Sequence, residues 1–252
     1  MIEIIILSLV QGVTEFLPIS SSSHLIIISN YLNLENQSLV VDVSLHIGSF
    51  IAVVVYFKKD IFNFIKNKEF LFKILISSIP VLLIGFFLVE TNLIEKIRNI
   101  KIIAWTTLLF GILLFFSDKF KLEKSIDNNF NYKSAIFIGF FQVLSLIPGV
   151  SRSGIAITAA RFLNYKRVDS AKISFLLSIP TLGAVSIFGL KNIISEENLN
   201  FSLFNLLLIF MSFIFSLITI KYFLKYIKKF SLNVFVVYRI FLGLILLGIL
   251  YL

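Results

Sequence analysis

The chain has 252 residues, of which 58% are apolar and only 15% are charged, whereas soluble domains carry roughly 25% charged residues. This composition indicates a polytopic membrane protein and excludes a soluble globular domain. The net charge of +9 comes from short clusters of Lys and Arg between apolar stretches, a pattern typical of loops that flank membrane spans. We therefore expect no nucleic-acid partner.

The chain contains no cysteine and two histidines. Disulfides and thiolate metal sites are excluded, and a multi-histidine metal site is nearly excluded. Any bound metal must be a hard cation with oxygen ligands. The chain starts with an acidic residue and a polar motif, where a signal peptide has a basic start and a cleavage site, so we expect the N-terminus to be retained.

The first element, residues 1–32, is apolar but is interrupted near its middle by Pro18. Proline removes a backbone donor and clashes with the preceding turn, which predicts two short helices instead of one span. Gln11 and Glu15 are four residues apart, so they share a helix face just before this break. The break is followed by four serines, which suit either helix capping or anion binding.

His24 follows Ser21 by about one helical turn, a workable spacing for a hydroxyl nucleophile and a proton-transfer group. An isolated buried histidine is usually a packing residue, but this one lies beside a carboxylate and several hydroxyls. We interpret Ser21, His24 and Glu15 as candidate catalytic residues. For Ser20 and Ser22 the sequence leaves substrate binding and simple capping open, and we place both in the candidate substrate site with Gln11.

Six segments are long and apolar enough to cross a bilayer, which takes about 20 residues. Their approximate bounds are 39–57, 70–90, 101–117, 171–190, 202–223 and 234–252.

A second broken element, residues 134–164, lies between the third and fourth of these spans and is interrupted by Pro148. Its PGVSRSG motif places Arg152 among small and hydroxylated residues. Glycines let a ligand approach the backbone, and a guanidinium binds phosphate oxygens bidentately. The alternative is an arginine that extends to the membrane surface, but its position at the break favours phosphate binding. The candidate substrate-binding residues here are Gly149, Ser151, Ser153 and Gly154, with Arg152 as a catalytic candidate.

The distribution of basic residues predicts the topology. If both broken elements are re-entrant hairpins, one side of the membrane receives seventeen of the 23 basic residues. This cytoplasmic side holds loops 58–69, 118–133, 161–172 and 221–233. The outer side then receives both termini and the loops at 32–38, 91–100 and 191–201.

The two hairpins enter from opposite faces, and short sequences recur in the two halves, such as SSIPVLLIG from Ser77 and LSIPTLGAV from Leu177. We therefore predict one all-α integral membrane domain over residues 1–252. It would have six transmembrane helices and two re-entrant helical hairpins, at about 1–32 and 134–164, in inverted repeats. Inverted repeats with broken helices are common in transporters.

Four polar residues elsewhere in the apolar segments are weaker signals. Asp42, His46 and Ser49 share one helix face by spacing, and Arg239 lies inside the last span. They could support the site, although helix packing explains Ser49 equally well. Gln142 precedes the second break as Gln11 precedes the first, and it could pair with backbone exposed there.

At these residues the chain resembles the undecaprenyl-diphosphatase family of bacterial membranes, of the bacitracin-resistance type. The resemblance runs nearly end to end. The family's (E/Q)xxxE pattern appears as Gln11 to Glu15, and its PGxSRSG pattern appears intact from Pro148 to Gly154. Usual members continue with Ser-Ser-Thr-Gly-His, so Ser22 and Ser23 depart from the common Thr and Gly.

The resemblance implies removal of the terminal phosphate from undecaprenyl diphosphate, which regenerates the lipid carrier for peptidoglycan synthesis. It also implies a divalent cation (Mg²⁺ or Ca²⁺), the bacterial cytoplasmic membrane and a site open to its outer face. Transferred to this sequence, Glu15 would bind metal or assist proton transfer, Ser21 would be the nucleophile, His24 the acid/base and Arg152 the phosphate clamp. Since Gln11 is not a carboxylate, a mechanism that needs two acids on this helix face is weakened.

Three matters stay open at this point. Either Ser21 or a water could attack phosphorus, and the protein could form a homodimer. A lipid-phosphate transporter is the alternative function, because broken helices in inverted repeats suit alternating access. A channel or purely structural protein is disfavoured by the grouping of hydroxyls with His24 and Arg152.

Overall fold

The computed structural model describes residues 2–32, 39–91, 93–195 and 203–251. Within these ranges the regular structure is helical, without a β-strand. The predicted all-α class is confirmed. Of the outer loops predicted from the charge pattern, residues 33–38 and 196–201 lie outside the described ranges.

Six long helices match the six predicted spans, each with at least 18 residues and enough apolar character to cross a membrane. Their bounds agree with the sequence prediction within a few residues, because a bilayer demands a long uninterrupted apolar run. They are α3 (Leu39–Tyr56), α5 (Lys68–Glu90), α7 (Ile100–Asp118), α11 (Arg167–Ser195), α12 (Leu203–Ile227) and α13 (Asn233–Tyr251).

The remaining helices are short: α1 (Ile2–Thr14), α2 (Ser21–Leu32), α4 (Lys58–Lys66), α6 (Leu93–Ile97), α8 (Ile126–Asn129), α9 (Tyr132–Val143) and α10 (Arg152–Phe162). The pairs α1–α2 and α9–α10 correspond to the two broken elements. Their members pack against each other, as expected for hairpins. This packing is consistent with re-entrant hairpins. That each hairpin enters and leaves the membrane on the same face stays a prediction.

The two breaks share an unusual backbone feature. Ser20 precedes α2 with φ of 74°, and Ser151 precedes α10 with φ of 73°. Non-glycine residues seldom occupy this left-handed region, where the side chain is crowded by backbone. The similarity indicates that both turns are held in place by their surroundings.

Asparagine and serine side chains define several helix starts, as their sequence positions suggest. Asn99 accepts a hydrogen bond from Ile102 N (2.9 Å) at the start of α7, and Asn131 accepts from Ser134 N (2.9 Å) at the start of α9. Ser151 caps α10 by accepting from Gly154 N (3.1 Å). These caps satisfy amides that would otherwise lack partners.

Small residues allow close approach between the long helices, as is usual in membranes. A Cβ at Gly12 would lie 2.9 Å from Ser216 N, and one at Gly243 would lie 3.0 Å from Leu108 N. The hydroxyls of Ser49 on α3 and Ser216 on α12 are hydrogen-bonded to each other (3.0 Å), so Ser49 contributes to the packing of these two helices. Outward-facing apolar residues such as Phe210 and Phe241 are exposed, as lipid-facing residues should be.

A charged cluster joins the helix ends on the side predicted to be cytoplasmic. Asp118, at the end of α7, accepts two hydrogen bonds from Arg167 (2.7 and 3.0 Å) and one from Leu232 N (3.1 Å). The fully buried Arg161, near the end of α10, also pairs with Asp118 (3.5 Å) and donates to the carbonyls of Phe120 and Tyr165. The cluster ties α7, α10 and α11 together at the end of α10 that lies away from the second turn.

Candidate functional site

The two broken elements meet at an ion pair. Nη2 of Arg152, the first residue of α10, donates to Oε1 of Glu15, which follows α1 (2.8 Å). The Glu15 side chain is 6% exposed and that of Arg152 is 13% exposed, so the pair is largely removed from solvent. The sequence prediction that the two motifs form one site agrees with this contact.

The other oxygen of Glu15 receives two hydrogen bonds from its own hairpin. Ser21 Oγ donates to Oε2 over 2.6 Å, and Gln11 Nε2 donates to it over 3.2 Å. The contact with Gln11 follows from the four-residue helical spacing. The bond from Ser21 arises because the chain reverses at Pro18 and brings the start of α2 back to the end of α1. The serine hydroxyl and the carboxylate are therefore in direct contact.

The second turn is fastened to the first. Ser153 Oγ donates to Leu17 O (2.7 Å), and Arg152 Nη1 donates to Ser174 O on α11 (3.2 Å). Arg152 Nε is buried and has no hydrogen-bond partner among the described residues. Since a guanidinium has five N–H donors, Arg152 keeps donors for a ligand while it holds Glu15.

Arg239 of α13 binds backbone carbonyls of both turns. Its guanidinium is fully buried in α13 and donates to Pro18 O (3.1 Å) in the first turn, and to Val150 O (3.0 Å) and Gly149 O (2.8 Å) in the second. Its Nε also donates to Thr107 O (3.3 Å) on α7. Burial lowers the solvation of this charge, and four carbonyl oxygens replace the lost water. Arg239 thus positions the two turns relative to each other.

The glycines of the second motif make room for these contacts. Gly149 has φ of 93°, and a Cβ there would collide with Thr106, whose hydroxyl donates to Pro148 O (2.6 Å). A Cβ at Gly154 would lie 3.1 Å from Arg239 Nη1. These two glycines, predicted to bind substrate, contact the protein's own positioning groups in the structure.

A cavity of about 490 Å³ adjoins the ion pair. Its polar lining comes from both hairpins and includes Glu15, Ser20, Ser21, Ser22, Ser151 and Arg152. Its apolar lining comes mainly from α5 and α11, with Val81, Leu82, Phe86, Leu182, Val185 and Phe188. Gln11, Ser153, Gly149 and Gly154 lie behind this lining. The cavity therefore combines a polar end, which includes a guanidinium and a carboxylate, with an apolar wall.

The two histidines differ in their position relative to the cavity. His24 Nδ1 donates to Ser20 O (2.6 Å), and its Nε2 accepts from the Tyr238 hydroxyl (2.5 Å), against which the ring also stacks. His24 does not line the cavity, whereas His46 does, with its Nδ1 donating to Asp42 O (2.7 Å). The predicted catalytic role of His24 stays a prediction. His46 was recognisable only through its shared helix face with Asp42 and Ser49.

A cation would find few protein ligands here. Within the described ranges there is no group of three or more His, Cys, Asp or Glu side chains suited to a metal, and Glu15 is the only carboxylate in the cavity lining. This donor set fits Mg²⁺ held by one carboxylate together with substrate phosphates, a common arrangement.

The fold and the site define a polytopic membrane protein with a buried Arg–Glu ion pair beside a partly apolar cavity. The chain belongs to the family described as bacitracin resistance protein BacA, whose model matches residues 4–245. Three relatives named undecaprenyl-diphosphatase match over almost their whole length. The protein of Pelagibacter ubique is 51% identical over 99% of this chain and 98% of its own. That of Jannaschia sp. is 37% identical over 98% and 97%, and that of Ruegeria pomeroyi is 34% identical over 99% and 98%.

Proposed function

We propose that this protein is an undecaprenyl-diphosphate phosphatase, which hydrolyses the terminal phosphate of the C55 lipid diphosphate and releases inorganic phosphate and the lipid monophosphate. One observation carries the proposal: Glu15 is hydrogen-bonded at once to Ser21 and to Arg152, so a nucleophile, a proton acceptor and a phosphate-binding cation meet in one cavity. The relatives named undecaprenyl-diphosphatase support the same activity.

The shape of the cavity supports an amphiphilic substrate. The diphosphate would occupy the polar end beside Arg152 and Ser21, and the first isoprene units would lie against apolar side chains of α5 and α11. Apolar surface contributes affinity in proportion to the area buried, while the few polar groups fix the orientation of the head group. The polar end of the cavity thus suits the diphosphate, and the apolar end suits the isoprene units next to it.

The contact geometry favours Ser21 as the nucleophile. Its Oγ attacks the terminal phosphorus while its proton passes to Glu15, which already accepts its hydrogen bond at 2.6 Å. The bond between phosphorus and the bridging oxygen breaks, and the lipid monophosphate leaves. A water then attacks the phosphorus of the phosphoserine and the bond between Oγ and phosphorus breaks. Ser21 Oγ takes back the proton held by Glu15, and inorganic phosphate leaves with the proton that the water loses. Arg152 stabilises negative charge on the phosphoryl oxygens through its remaining N–H donors.

His24 would serve as an acid/base if the hydrogen bond between its Nε2 and Tyr238 were broken. Its Nδ1 already donates to the carbonyl of Ser20, the residue before the nucleophile. Ser20, Ser22 and Ser151 would bind the diphosphate from the cavity lining, while Gln11 would orient Glu15. Ser153, Gly149 and Gly154 would shape the phosphate site from behind it.

As the alternative to accepting the Ser21 proton, Glu15 would hold a divalent cation, Mg²⁺ or Ca²⁺, together with the substrate's phosphate oxygens. A bound cation supplies neutralisation of the diphosphate charge. The protein would lie in the bacterial cytoplasmic membrane, with both termini and the cavity toward the outer face. Its basic loops would face the cytoplasm, as the charge distribution predicts.

Release of inorganic phosphate from undecaprenyl diphosphate by the purified protein in detergent tests the activity. We expect turnover by the wild type and its loss in Arg152→Ala. Movement of labelled lipid across a vesicle membrane without phosphate release would overturn the phosphatase and favour the lipid-phosphate transporter that the broken helices also suit.

A further inference from the structure

Gln142 is a polar side chain of the cavity that neither sequence motif contains. It lies in the last turn of α9, just before the second break, and is fully buried. It contributes to the cavity lining together with Ser145 and Leu146 of the following turn. The second hairpin therefore offers polar groups to the cavity from both sides of its break, Gln142 before it and Arg152 after it.

The amide group of Gln142 is not used by the protein. Neither its Nε2 nor its Oε1 has a hydrogen-bond partner among the described residues. The expectation that Gln142 pairs with backbone at the break is therefore not met. Gln11, which precedes the first break in the same way, differs because its Nε2 donates to Glu15.

An amide buried without partners is costly, because each unpaired donor or acceptor loses about 1–3 kcal/mol of hydration that nothing replaces. Such groups are rare in native proteins, and a ligand or a functional step can supply the partner. Gln142 belongs to the lining of a cavity whose other polar residues suit a phosphate. An acceptor on a ligand bound in this cavity would supply the missing partner of its N–H donors.

We propose that Gln142 is a substrate-binding residue whose Nε2 donates to the phosphate oxygens of the lipid diphosphate. This inference rests on the proposed function. A neutral amide adds hydrogen bonds without adding charge, so it orients the head group while Arg152 provides the electrostatic attraction. Gln142 thereby acts on binding, and its loss raises KM more than it lowers kcat.

The test compares Gln142→Leu with Ser186→Ala. Leucine has nearly the volume of glutamine but no polar atom. Ser186 is a matched control, since its hydroxyl is also buried and without a partner among the described residues but lies outside the cavity lining. Both variants remove a buried unpaired group, so both should unfold at or above the wild-type temperature.

Only Gln142→Leu should weaken binding. We expect its KM for undecaprenyl diphosphate to rise about tenfold or more, which corresponds to about 1.4 kcal/mol. Pyrophosphate should raise the unfolding temperature of the wild type and of Ser186→Ala but not that of Gln142→Leu. A carboxylate in the same position, Gln142→Glu, should weaken binding further because it repels the diphosphate.

Two results would overturn the proposal. An unchanged KM and an unchanged pyrophosphate shift in Gln142→Leu would show that the amide does not contact the ligand. A loss of thermal stability in Gln142→Leu relative to Ser186→Ala would show that the amide has a structural partner instead. If the wild type released no phosphate, the proposed function would fail, whereas the pyrophosphate shift would still test Gln142 as an anion ligand.

Discussion

Glu15 and Arg152 are 137 positions apart, yet a hydrogen bond of 2.8 Å joins Oε1 of the first to Nη2 of the second. This pair is the point at which the two broken elements become one site. Breaking a buried ion pair leaves one charge without its partner, which costs about 3–5 kcal/mol. Losing either partner would therefore destabilise the contact between the hairpins and also remove a group proposed for the reaction.

Replacing Arg152 with lysine tests whether a positive charge alone is sufficient for activity or whether the planar guanidinium with its several donors is needed. Lysine keeps the positive charge but has one compact group, so it cannot serve Glu15, Ser174 O and a phosphate together. We expect kcat/KM of Arg152→Lys to fall by about 100-fold or more, in the range of a lost transition-state contact. Steady-state phosphate release measures this, and near-wild-type turnover would contradict the clamp role of Arg152.

Ser21→Ala tests the identity of the nucleophile. If Ser21 attacks phosphorus, this variant should lose activity by about three orders of magnitude or more, because the covalent route is removed. In the wild type, rapid acid quenching during turnover should trap phosphate on Ser21, which mass spectrometry detects. Substantial turnover by Ser21→Ala, without a trapped phosphoserine in the wild type, would assign the attack to water.

His24→Ala should lower kcat about tenfold or more, as expected for loss of a proton-transfer group or of a group that holds the nucleophile's turn. Tyr238→Phe removes only the outer partner of the imidazole, so it should cost less. The dependence of the rate on pH separates the two roles. If His24→Gln no longer shows one of the pH-dependent changes in rate that the wild type shows, His24 transfers a proton, whereas an unchanged profile indicates positioning. Full activity of His24→Ala would contradict both.

Arg239→Lys tests the connection between the turns, with Arg161→Lys as its control. Both arginines are fully buried and bind several backbone carbonyls, but only Arg239 touches Pro18, Gly149 and Val150. Both variants should unfold at lower temperature than the wild type. Only Arg239→Lys should lose kcat, by about tenfold or more, because misplaced catalytic groups are costly. Equal kcat in the two variants would contradict the positioning role.

Cysteine labelling tests the predicted orientation. Single cysteines at Lys124 and Lys228, both in loops predicted to be cytoplasmic, should resist a membrane-impermeant reagent in intact cells and react after permeabilisation. The native chain contains no cysteine, so the background is low. Labelling of either position in intact cells would reverse the topology.

The sequence alone determined the class of protein and the elements that carry the site. Six spans were predictable because a bilayer requires long apolar runs, and the breaks near Pro18 and Pro148 were predictable because proline interrupts helices. The motifs also identified Glu15, Ser21 and Arg152 as candidates, since ionisable and hydroxyl groups at membrane depth are exceptional.

Only the tertiary structure decided how these residues are arranged. Arg239 binds backbone carbonyls up to 221 positions away. Because every residue has a backbone carbonyl, the sequence does not show which of them Arg239 binds. The cavity lining includes His46 and Gln142 but not His24, because the packing of α2, α3 and α9 determines which side chains reach the cavity. Local patterns predict helices, whereas contacts between distant segments depend on how those helices pack.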